Sequence, residues 1–300
     1  MFHVIGVGAL NVDIIYKVER IAKGGEETFI LSMKKSFGGS AANTVVALAR
    51  LGKRVGFIGN IGNDEEGKEM LRDFEKEKVD IAGIRKFNDK TGFALCFVDS
   101  SGERALYVYP GANDFLSIDE ERLSYAKKAE ILHLSSFVGG TSIEEQKKLV
   151  EELGNVKISF APGELYASKG LAFVKEILSK SYVVFLNKRE IKLLTGKNYE
   201  EGAEELLRAG AKVIAITLGE EGCYIASKKE KLKVKAFPTE VIDTTGAGDA
   251  FAAGFLFGLL EGKDLYECGK IGNRVASLCI SKVGAREGLP YREFALQILK

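Results

Sequence analysis

A nine-residue segment near the C-terminus, 243–251, has residue types suited to phosphoryl transfer. It reads Asp-Thr-Thr-Gly-Ala-Gly-Asp-Ala-Phe and opens an apolar stretch that predicts a helix. Gly246 and Gly248 have no Cβ, so the backbone N–H groups around Ala247 can close on an anion at the positive end of the helix dipole. Asp249 can then remove a proton from a hydroxyl while this backbone holds the phosphoryl charge. The alternative is an ordinary strand-to-helix turn with Asp249 in the first helical turn.

Two polar segments near the N-terminus are candidates for binding a second substrate. The segment 6–13 has Gly-x-Gly but lacks the third glycine of a dinucleotide fingerprint. Asn11 and Asp13, two apart on an extended strand, point to one face, and their amide and carboxylate groups match vicinal sugar hydroxyls. An Asx-type turn is the alternative. A Gly-Gly pair ending at Gly39 lets the backbone approach a ligand, and Asn43 follows in the first turn of a predicted helix.

Two further candidates follow predicted strands in the second half of the chain. Asn187 and Glu190 open a predicted helix, where a carboxylate is ordinarily a partner of the helix dipole. Thr217, Gly219 and Gly222 form a glycine-containing turn, and the threonine hydroxyl can donate a hydrogen bond to a phosphate. As a pattern this turn is weak, because many strand-to-helix turns look the same.

Short apolar runs alternate with helical patterns along the chain, which predicts an α/β fold with a central, mainly parallel sheet flanked by helices. In such sheets ligands bind at the carboxyl ends of the strands, where the candidate motifs fall. The predicted strands are 4–7, 55–58, 131–134, 157–160, 183–186 and 213–217. The predicted helices are 41–51, 65–77, 144–153, 199–209 and 250–260.

Two regions, approximately 13–34 and 90–111, instead alternate in the manner of β-strands. Within the second, residues 93–98 and 104–109 flank a Ser-Ser-Gly-Glu turn and predict a hairpin. We expect the two regions to pair into one small sheet inside a single domain that spans 1–300.

Length and composition set the class of protein. Three hundred residues with 46% hydrophobic content suffice for one large domain. A net charge of +1 gives no reason to expect nucleic-acid or membrane-surface binding. The longest apolar runs are too short to span a bilayer, and the chain starts directly as a strand without a charged leader. These observations favour a cytoplasmic enzyme.

The segments 243–251 and 37–52 resemble the two signatures of the ribokinase-like (phosphofructokinase B) family of carbohydrate and nucleoside kinases. The resemblance runs over essentially the whole chain. It implies a ribokinase-like fold and a reaction in which Asp249 takes the proton from a primary hydroxyl of the acceptor. It also implies that the small β-sheet is a lid over the sugar site and that the lid pairs with a second subunit, which gives a homodimer.

On the acceptor side, the resemblance assigns sugar binding to Asn11, Asp13, Gly39 and Asn43. Ser40 stands where ribokinases proper usually carry a lysine, which favours a nucleoside over free ribose.

On the donor side, the resemblance implies that Glu190 orients water bound to Mg²⁺, which is adequate because Mg²⁺ keeps several waters. It places along the nucleotide Asn187, Thr217, Gly219, Gly222 and Asn273, the last of these near the base. The segment 282–286 resembles a loop that, with Asp243, forms a monovalent-cation site in some members. The donor is ATP by default, and ADP remains an alternative.

The identity of the acceptor stays open among a nucleoside, ribose, ribose 1-phosphate, and a hexose or sugar acid. Ala161 replaces the aspartate of a Phe-Asp-Pro-Gly segment that is common in nucleoside kinases. A phosphorylated acceptor would need cations, which Lys34, Lys35 and Arg104 can supply. A binding protein that kept the fold and lost the chemistry is the non-enzymatic alternative, and the intact residues of 243–251 argue against it.

Overall fold

The computed structural model of this chain describes residues 1–101, 103–139 and 141–294 and contains two β-sheets. The strands are β1 (Phe2–Val7), β2 (Asn11–Val18), β3 (Ile30–Gly38), β4 (Val55–Gly62), β5 (Val79–Phe87), β6 (Gly92–Val98), β7 (Arg104–Tyr109), β8 (Ala129–Ser135), β9 (Lys157–Ala161), β10 (Ser181–Asn187), β11 (Val213–Thr217), β12 (Cys223–Ser227) and β13 (Lys231–Val234). The helices are α1 (Ser40–Arg50), α2 (Glu65–Lys76), α3 (Glu120–Ala126), α4 (Thr141–Glu152), α5 (Gly163–Ala167), α6 (Leu171–Lys180), α7 (Lys188–Thr195), α8 (Tyr199–Arg208), α9 (Ala247–Leu260) and α10 (Leu265–Cys279). Two short 3₁₀ segments are Gly111–Phe115 and Gly219–Glu221.

The larger sheet has the strand order β13-β12-β11-β10-β9-β8-β1-β4-β5, and its strands run parallel from β5 to β11. Only β12 and β13, at one edge, pair antiparallel. The central strands are buried on both faces because helices cover both sides, which is why they read as continuous apolar runs in the sequence. The predicted mainly parallel α/β sheet is confirmed.

The six predicted strands and five predicted helices are present, with ends that differ by at most four residues. The largest difference that bears on function is at the helix predicted from Ala250, which begins at Ala247. The edge strands β5 and β13 were not predicted, because their exposed and half-exposed positions carry lysine, arginine and aspartate and break the apolar run. Strand β12, which lies between β11 and β13, was not predicted either.

The smaller sheet has the order β3-β2-β6-β7. The predicted hairpin is present as the antiparallel pair β6–β7, with Gly102 of its turn outside the described residues. Strands β2 and β6 pair in parallel although about 80 residues separate them in the chain, so the two regions predicted from alternation form one small sheet. In the register of β2 with β3, Asp13 lies opposite Ser36 and Ile15 lies opposite Lys34.

Helix α9 carries Asp249 and is buried around most of its circumference. It packs against α10, where a Cβ on Gly254 would lie 2.9 Å from the Cα of Gly272, so the absence of side chains lets the two backbones approach. On another side α9 contacts α1, which brings the start of both helices together. Among the described residues, no helix is both long enough and apolar enough to cross a membrane.

Candidate active site

The carboxyl ends of β10 and β11 and the start of α9 border one large cavity of about 930 Å³. Parallel pairing sets Asn187 directly opposite Thr217 at this edge of the sheet. The cavity brings together nine of the residues singled out in the sequence: Asn187, Glu190, Thr217, Gly219, Gly222, Ala247, Gly248, Asp249 and Asn273. It is large enough for a nucleotide-sized ligand.

Asp249 lies in the first turn of α9, at the border between this cavity and helix α1. The Ser40 hydroxyl donates to its Oδ1 at 2.7 Å, and the Asn43 amide donates to its Oδ2 at 2.9 Å. Burial raises the pKa of Asp249 to about 6, although these two hydrogen bonds and the charge of Arg286 act in the opposite direction. A carboxylate with a pKa near neutrality is suited to act as a general base.

The glycines before Asp249 have different structural roles. Gly246 precedes α9 with a φ of +78°, and a Cβ there would lie 2.6 Å from the Cβ of Ala285, so this position requires glycine for conformation and space. Gly248 borders the cavity, and a Cβ there would have no neighbour within 4 Å. The N–H groups of Ala247 and Gly248 therefore lie at the open N-terminus of a 14-residue helix, which is an arrangement that binds anions.

Asp13 lies on β2 and does not border the cavity. Its carboxylate packs over Gly38, where any Cβ would overlap the carboxylate oxygens. Burial raises the pKa of Asp13 to about 6, the positive charge of Arg286 lowers it, and the nearby charge of Asp249 raises it. Two carboxyl groups with raised pKa values therefore share one region around a single arginine.

Asn11, Gly39 and Asn43 also lie in this region and do not border the cavity. The Asn11 Oδ1 accepts a hydrogen bond of 2.9 Å from the Asn113 amide, so part of its polar capacity is already used. Gly39 precedes α1 with a φ of +109°, and a Cβ there would overlap the carbonyl oxygen of Ala9. Asn43 is buried in the first turn of α1. Of these three residues, Asn43 contacts Asp249 directly.

Asn187 and Glu190 form a reciprocal cap at the start of α7. The Asn187 Oδ1 accepts from the N–H of Arg189 at 2.9 Å and of Glu190 at 2.8 Å, and the Glu190 Oε2 accepts from the Asn187 N–H at 2.9 Å. The ordinary interpretation of a helix cap is therefore correct, and both residues also border the cavity. Burial raises the pKa of Glu190, with smaller contributions in the same direction from Asp249 and Glu164.

The turn after β11 forms another part of the cavity wall. The Thr217 hydroxyl lies 3.4 Å from the carbonyl oxygen of Leu186, which is a weak bond that a better acceptor can replace. Gly219 has a φ of +67° with no neighbour within 4 Å of a Cβ, whereas Gly222 has a φ of +94° and a Cβ there would overlap the Val234 carbonyl. Gly222 is therefore required both by its backbone conformation and by its packing.

Asn273, on α10, holds the end of β13 in place. Its amide nitrogen donates to the carbonyl oxygens of Val234 and Lys235 at 3.0 and 3.1 Å. These bonds fix the following residues, 236–239, which line the cavity beside Asn273. Asn273 therefore also stabilises the chain after β13, which was not predicted from the sequence.

Three contacts in this region were missed from the sequence. They are the bond from Ser40 to Asp249, the bond from Arg286 to Asn43 and the ion pair between Arg286 and Asp73. The partners lie 209 to 243 residues apart, so no spacing signal reveals them. The segment 282–286 does lie beside Asp243, whose Oδ2 accepts from the Gly284 N–H at 2.8 Å.

Comparison with known proteins gives the family. The family model described as pfkB family carbohydrate kinase matches residues 1–292. An uncharacterized sugar kinase of Archaeoglobus fulgidus is 44% identical over 82% of this chain and 98% of its own length. A ribokinase of Haemophilus influenzae is 31% identical over 98% of this chain and 97% of its own length. An ATP-dependent ribose-1-phosphate kinase of Halopiger xanaduensis is 31% identical over 95% of this chain and 94% of its own length.

Solved structures give the same fold. Arabidopsis thaliana ribokinase, in complex with ribose and ATP, superposes with a TM-score of 0.89 at 26% identity, covering 100% of this chain and 99% of the other. A nucleoside kinase of Methanocaldococcus jannaschii superposes with a TM-score of 0.83 at 26% identity, covering 99% and 98%. The fold is ribokinase-like, as the sequence predicted, and the protein is a phosphotransferase with an alcohol group as acceptor. This chain belongs to the pfkB family of carbohydrate kinases.

Proposed function

We propose that this sugar or nucleoside kinase transfers the terminal phosphoryl group of a nucleotide, ATP by default, to a primary hydroxyl of a ribose-containing acceptor. The observation that carries the proposal is the position of Asp249. Asp249 borders the large cavity, which is the proposed donor site, and it accepts a hydrogen bond from Asn43, which lies outside the cavity in the proposed acceptor site, so one base can serve both substrates. A base in that position can reach a hydroxyl that attacks a phosphoryl group held in the cavity.

In the proposed reaction Asp13, with Asn11, binds the sugar hydroxyls, and Gly39 and Asn43 complete this pocket. Asp249 accepts the proton of the primary hydroxyl as its oxygen attacks the terminal phosphorus. The backbone N–H groups of the Gly246–Gly248 segment and the positive end of α9 stabilise the charge that builds up on the transferring group. Closure of the small sheet, residues 13–34 and 90–111, over the acceptor excludes water, which would otherwise take the phosphoryl group.

Glu190 fits the task of holding hydrated Mg²⁺. Its carboxylate borders the cavity, and nearby Asp249 and Glu164 disfavour its charge, so a cation there would be stabilising. No group of three or more His, Cys, Asp or Glu residues in the described ranges is arranged to hold a metal ion, so contact through water and nucleotide phosphates suits this site. Bound Mg²⁺ supplies charge neutralisation on the phosphates. Asp243 and the segment 282–286 are the proposed place for a monovalent cation.

The cavity wall formed by Asn187, Thr217, Gly219, Gly222 and Asn273 is the proposed nucleotide site. Its inner part, where Asn273 and Phe237 lie, is apolar enough for a base. The proposal keeps ATP as donor because Arabidopsis ribokinase, which shares this fold, is in complex with ATP. ADP is the alternative donor.

The favoured acceptor is a nucleoside. Ser40, in place of the usual lysine, uses its hydroxyl to bind Asp249 and so places no cation over the acceptor. The likeness to the nucleoside kinase of Methanocaldococcus jannaschii supports this choice.

Ribose 1-phosphate is a second candidate, and Lys34 favours it. In the register of the small sheet Lys34 shares a face with Asp13, and its Nζ lies 3.4 Å from the Val283 carbonyl oxygen, so an ammonium group bridges the lid and the loop that carries Arg286. Lys35 points to the other face and is paired with Glu69, so it is not available. The likeness to the ribose-1-phosphate kinase of Halopiger xanaduensis is in agreement.

A phosphotransfer screen tests these proposals. ATP and ADP are each incubated with nucleosides, ribose, ribose 1-phosphate and fructose, using wild type, Lys34→Gln and, as matched control, Lys35→Gln. A nucleoside kinase turns over a nucleoside with equal KM in all three proteins. A ribose-1-phosphate kinase shows a KM for that acceptor that rises only in Lys34→Gln. Turnover of fructose alone contradicts both candidates.

We also propose a cytoplasmic homodimer that pairs through the small sheet. Both edge strands of this sheet expose large apolar side chains, among them Leu31 and Met33 on β3 and Leu106 and Tyr107 on β7, each more than 60% exposed. An exposed apolar sheet edge favours association. Light scattering of the purified protein measures its mass in solution.

A further inference from the structure

The guanidinium group of Arg286 connects helix α2 to the catalytic carboxylate. Its Nη1 lies 2.7 Å from the Asp73 Oδ2, and its Nε donates to the Asn43 Oδ1 at 2.8 Å. The other end of the Asn43 amide donates to the Asp249 Oδ2 at 2.9 Å. Asp73, Arg286, Asn43 and Asp249 thus form one continuous chain of hydrogen bonds across four segments of the protein, namely α2, the C-terminal loop, α1 and α9.

Arg286 is held on several sides. Its side chain is only 12% exposed, and its guanidinium lies 6.0 Å from the centre of the Phe74 ring. Its backbone carbonyl accepts a hydrogen bond from Arg50, which is itself paired with Glu77 at 2.6 Å. Because Arg50 of α1 holds the backbone of Arg286 and Asp73 and Phe74 of α2 hold its side chain, the direction of its Nε–H bond is determined.

The direction of that bond determines the orientation of the Asn43 amide. With Arg286 donating to its oxygen, Asn43 can present only its NH₂ group to Asp249. A flipped amide would set the NH₂ against the guanidinium and the oxygen against the carboxylate, and both contacts would be repulsive. The Asp249 Oδ1, bound by the Ser40 hydroxyl, is then fixed as well.

We propose that Arg286 is a positioning residue for phosphoryl transfer: seated on Asp73, it fixes the Asn43 amide so that Asp249 is held in its reactive orientation. The inference rests on the proposed role of Asp249 as base. Arg286 acts through Asn43 and through its charge, and it does not need to touch either substrate. Its Nη2 is buried and, within the described residues, has no hydrogen-bond partner.

Arg286 also affects the proton affinity of the base. Charged or titratable groups face Asp249 from four elements: Arg286 from the C-terminal loop, Asp13 from β2, Glu190 from α7 and the Cys279 thiol from α10. Only Arg286 among these groups is positive. Its removal should therefore raise the pKa of Asp249 and weaken the hydrogen-bonded orientation at the same time.

The experiment separates charge from orientation with two variants. Arg286→Gln removes both, whereas Arg286→Lys keeps the charge and loses the planar donor group that bonds Asn43 and Asp73 together. Arg72→Gln, an exposed arginine on the same helix α2, is the matched control. Initial rates are measured across pH 4.5 to 9 with the best acceptor, and circular dichroism confirms folding. Should Arg286→Gln not fold, Arg286→Lys and Asp73→Asn carry the test.

We expect Arg286→Gln to lower kcat on the order of 10-fold and to move the acid limb of the kcat profile up by roughly one pH unit, with little change in acceptor KM. Arg286→Lys should return the acid limb to its wild-type position while kcat stays low. Asp73→Asn should lower kcat less. An unchanged kcat and profile in Arg286→Gln overturns the proposal. An effect confined to acceptor KM also overturns it, because Arg286 would then bind the acceptor.

Asp249→Asn, measured in parallel, distinguishes failure of the proposed role of Asp249 as base from failure of the proposed role of Arg286. Near-wild-type turnover of Asp249→Asn refutes the proposed mechanism as a whole. Loss of turnover in Asp249→Asn together with a normal Arg286→Gln profile refutes only the positioning role.

Discussion

Replacement of Asp249 by asparagine should inactivate the enzyme and stabilise its fold. The substitution preserves size and both hydrogen bonds. An asparagine oxygen can accept from the Asn43 amide, and the new NH₂ group can donate to the Ser40 oxygen, since a hydroxyl both donates and accepts. The change therefore removes one negative charge from a buried site and little else.

The size of the stability gain follows from the pKa of this carboxyl. It is about 6 in the folded protein against 3.8 for the free side chain, because burial disfavours the charged form. This difference of about two units corresponds to about 3 kcal/mol when the group is ionised in the folded state. The folded protein binds the proton more tightly than the unfolded chain, so the penalty is absent below pH 4, grows between pH 4 and 6, and is constant above. Asp249→Asn should therefore be more stable than wild type by up to about 3 kcal/mol at pH 8.

The assay is guanidinium chloride unfolding at pH 8 and at pH 4.5, together with kcat at pH 8. We expect most of the stability gain to vanish at pH 4.5 and kcat to fall by roughly 10²- to 10⁴-fold. Asp64→Asn is a control of opposite sign. Burial raises the pKa of Asp64, but hydrogen bonds from Thr91 and Gly67 outweigh it and hold the pKa below its usual range, so this variant should lose stability at pH 8.

Three results would refute the reasoning. Equal unfolding free energies of wild type and Asp249→Asn at pH 8 would mean that burial does not penalise this charge. A gain of the same size at both pH values would mean that the stabilisation comes from packing and not from ionisation. A normal kcat, whatever the stability, would remove Asp249 from the chemistry.

Three further predictions test other parts of the site. The kcat/KM of wild type should fall below about pH 6 with a slope approaching two on a logarithmic scale, because Asp13 and Asp249, both with pKa values near 6, must be ionised. In the same pH–rate measurement, Asp13→Asn should reduce that slope to one. Gly248→Ala should fold with unchanged or slightly greater stability and lose turnover, because its Cβ enters the cavity. Gly246→Ala should instead be destabilised by about 1–3 kcal/mol, because its φ is +78° and its Cβ would contact Ala285. Thermal unfolding and kcat are measured for both variants. Met33→Asp should convert a dimer into a monomer in light scattering while Ser32→Asp, its exposed neighbour on the opposite face of β3, should not, and a wild-type monomer would contradict the proposed interface.

The parts of the fold that the sequence predicted are those set by local patterns. Buried parallel strands such as β11 read as continuous apolar runs, and the β6–β7 hairpin reads as two alternating runs around a turn. Strand β13 has two exposed lysines on either side of a half-buried leucine and gives no such signal, and only its pairing with β12 makes it a strand. Tertiary context decides such edge elements.

The candidate site also has one part that local sequence patterns predicted and one part that they did not. The cavity residues near strand ends, such as Asn187 and Thr217, were predictable because parallel strands end at one edge of a sheet. The surroundings of Asp249 were not. Ser40 was noticed only as a departure from the resembled family, and in the structure its hydroxyl donates a hydrogen bond to the Asp249 carboxylate. Contacts of this kind depend on how α1, α2 and α9 pack, which the one-dimensional pattern does not contain.

The arrangement around Arg286 explains why so much negative charge can remain next to the base. Asp13, Asp73 and Asp249 surround the Arg286 guanidinium. Fewer carboxylates would make the fold more stable, because each buried charge without a partner lowers stability. A base must nevertheless stay poorly compensated if its pKa is to approach neutrality. Asp73 takes the strongest contact with Arg286, an ion pair, and leaves Asp249 only an indirect link through the neutral Asn43 amide. The indirect link fixes the orientation of the Asp249 carboxylate without lowering its pKa as strongly as a direct arginine–aspartate ion pair would.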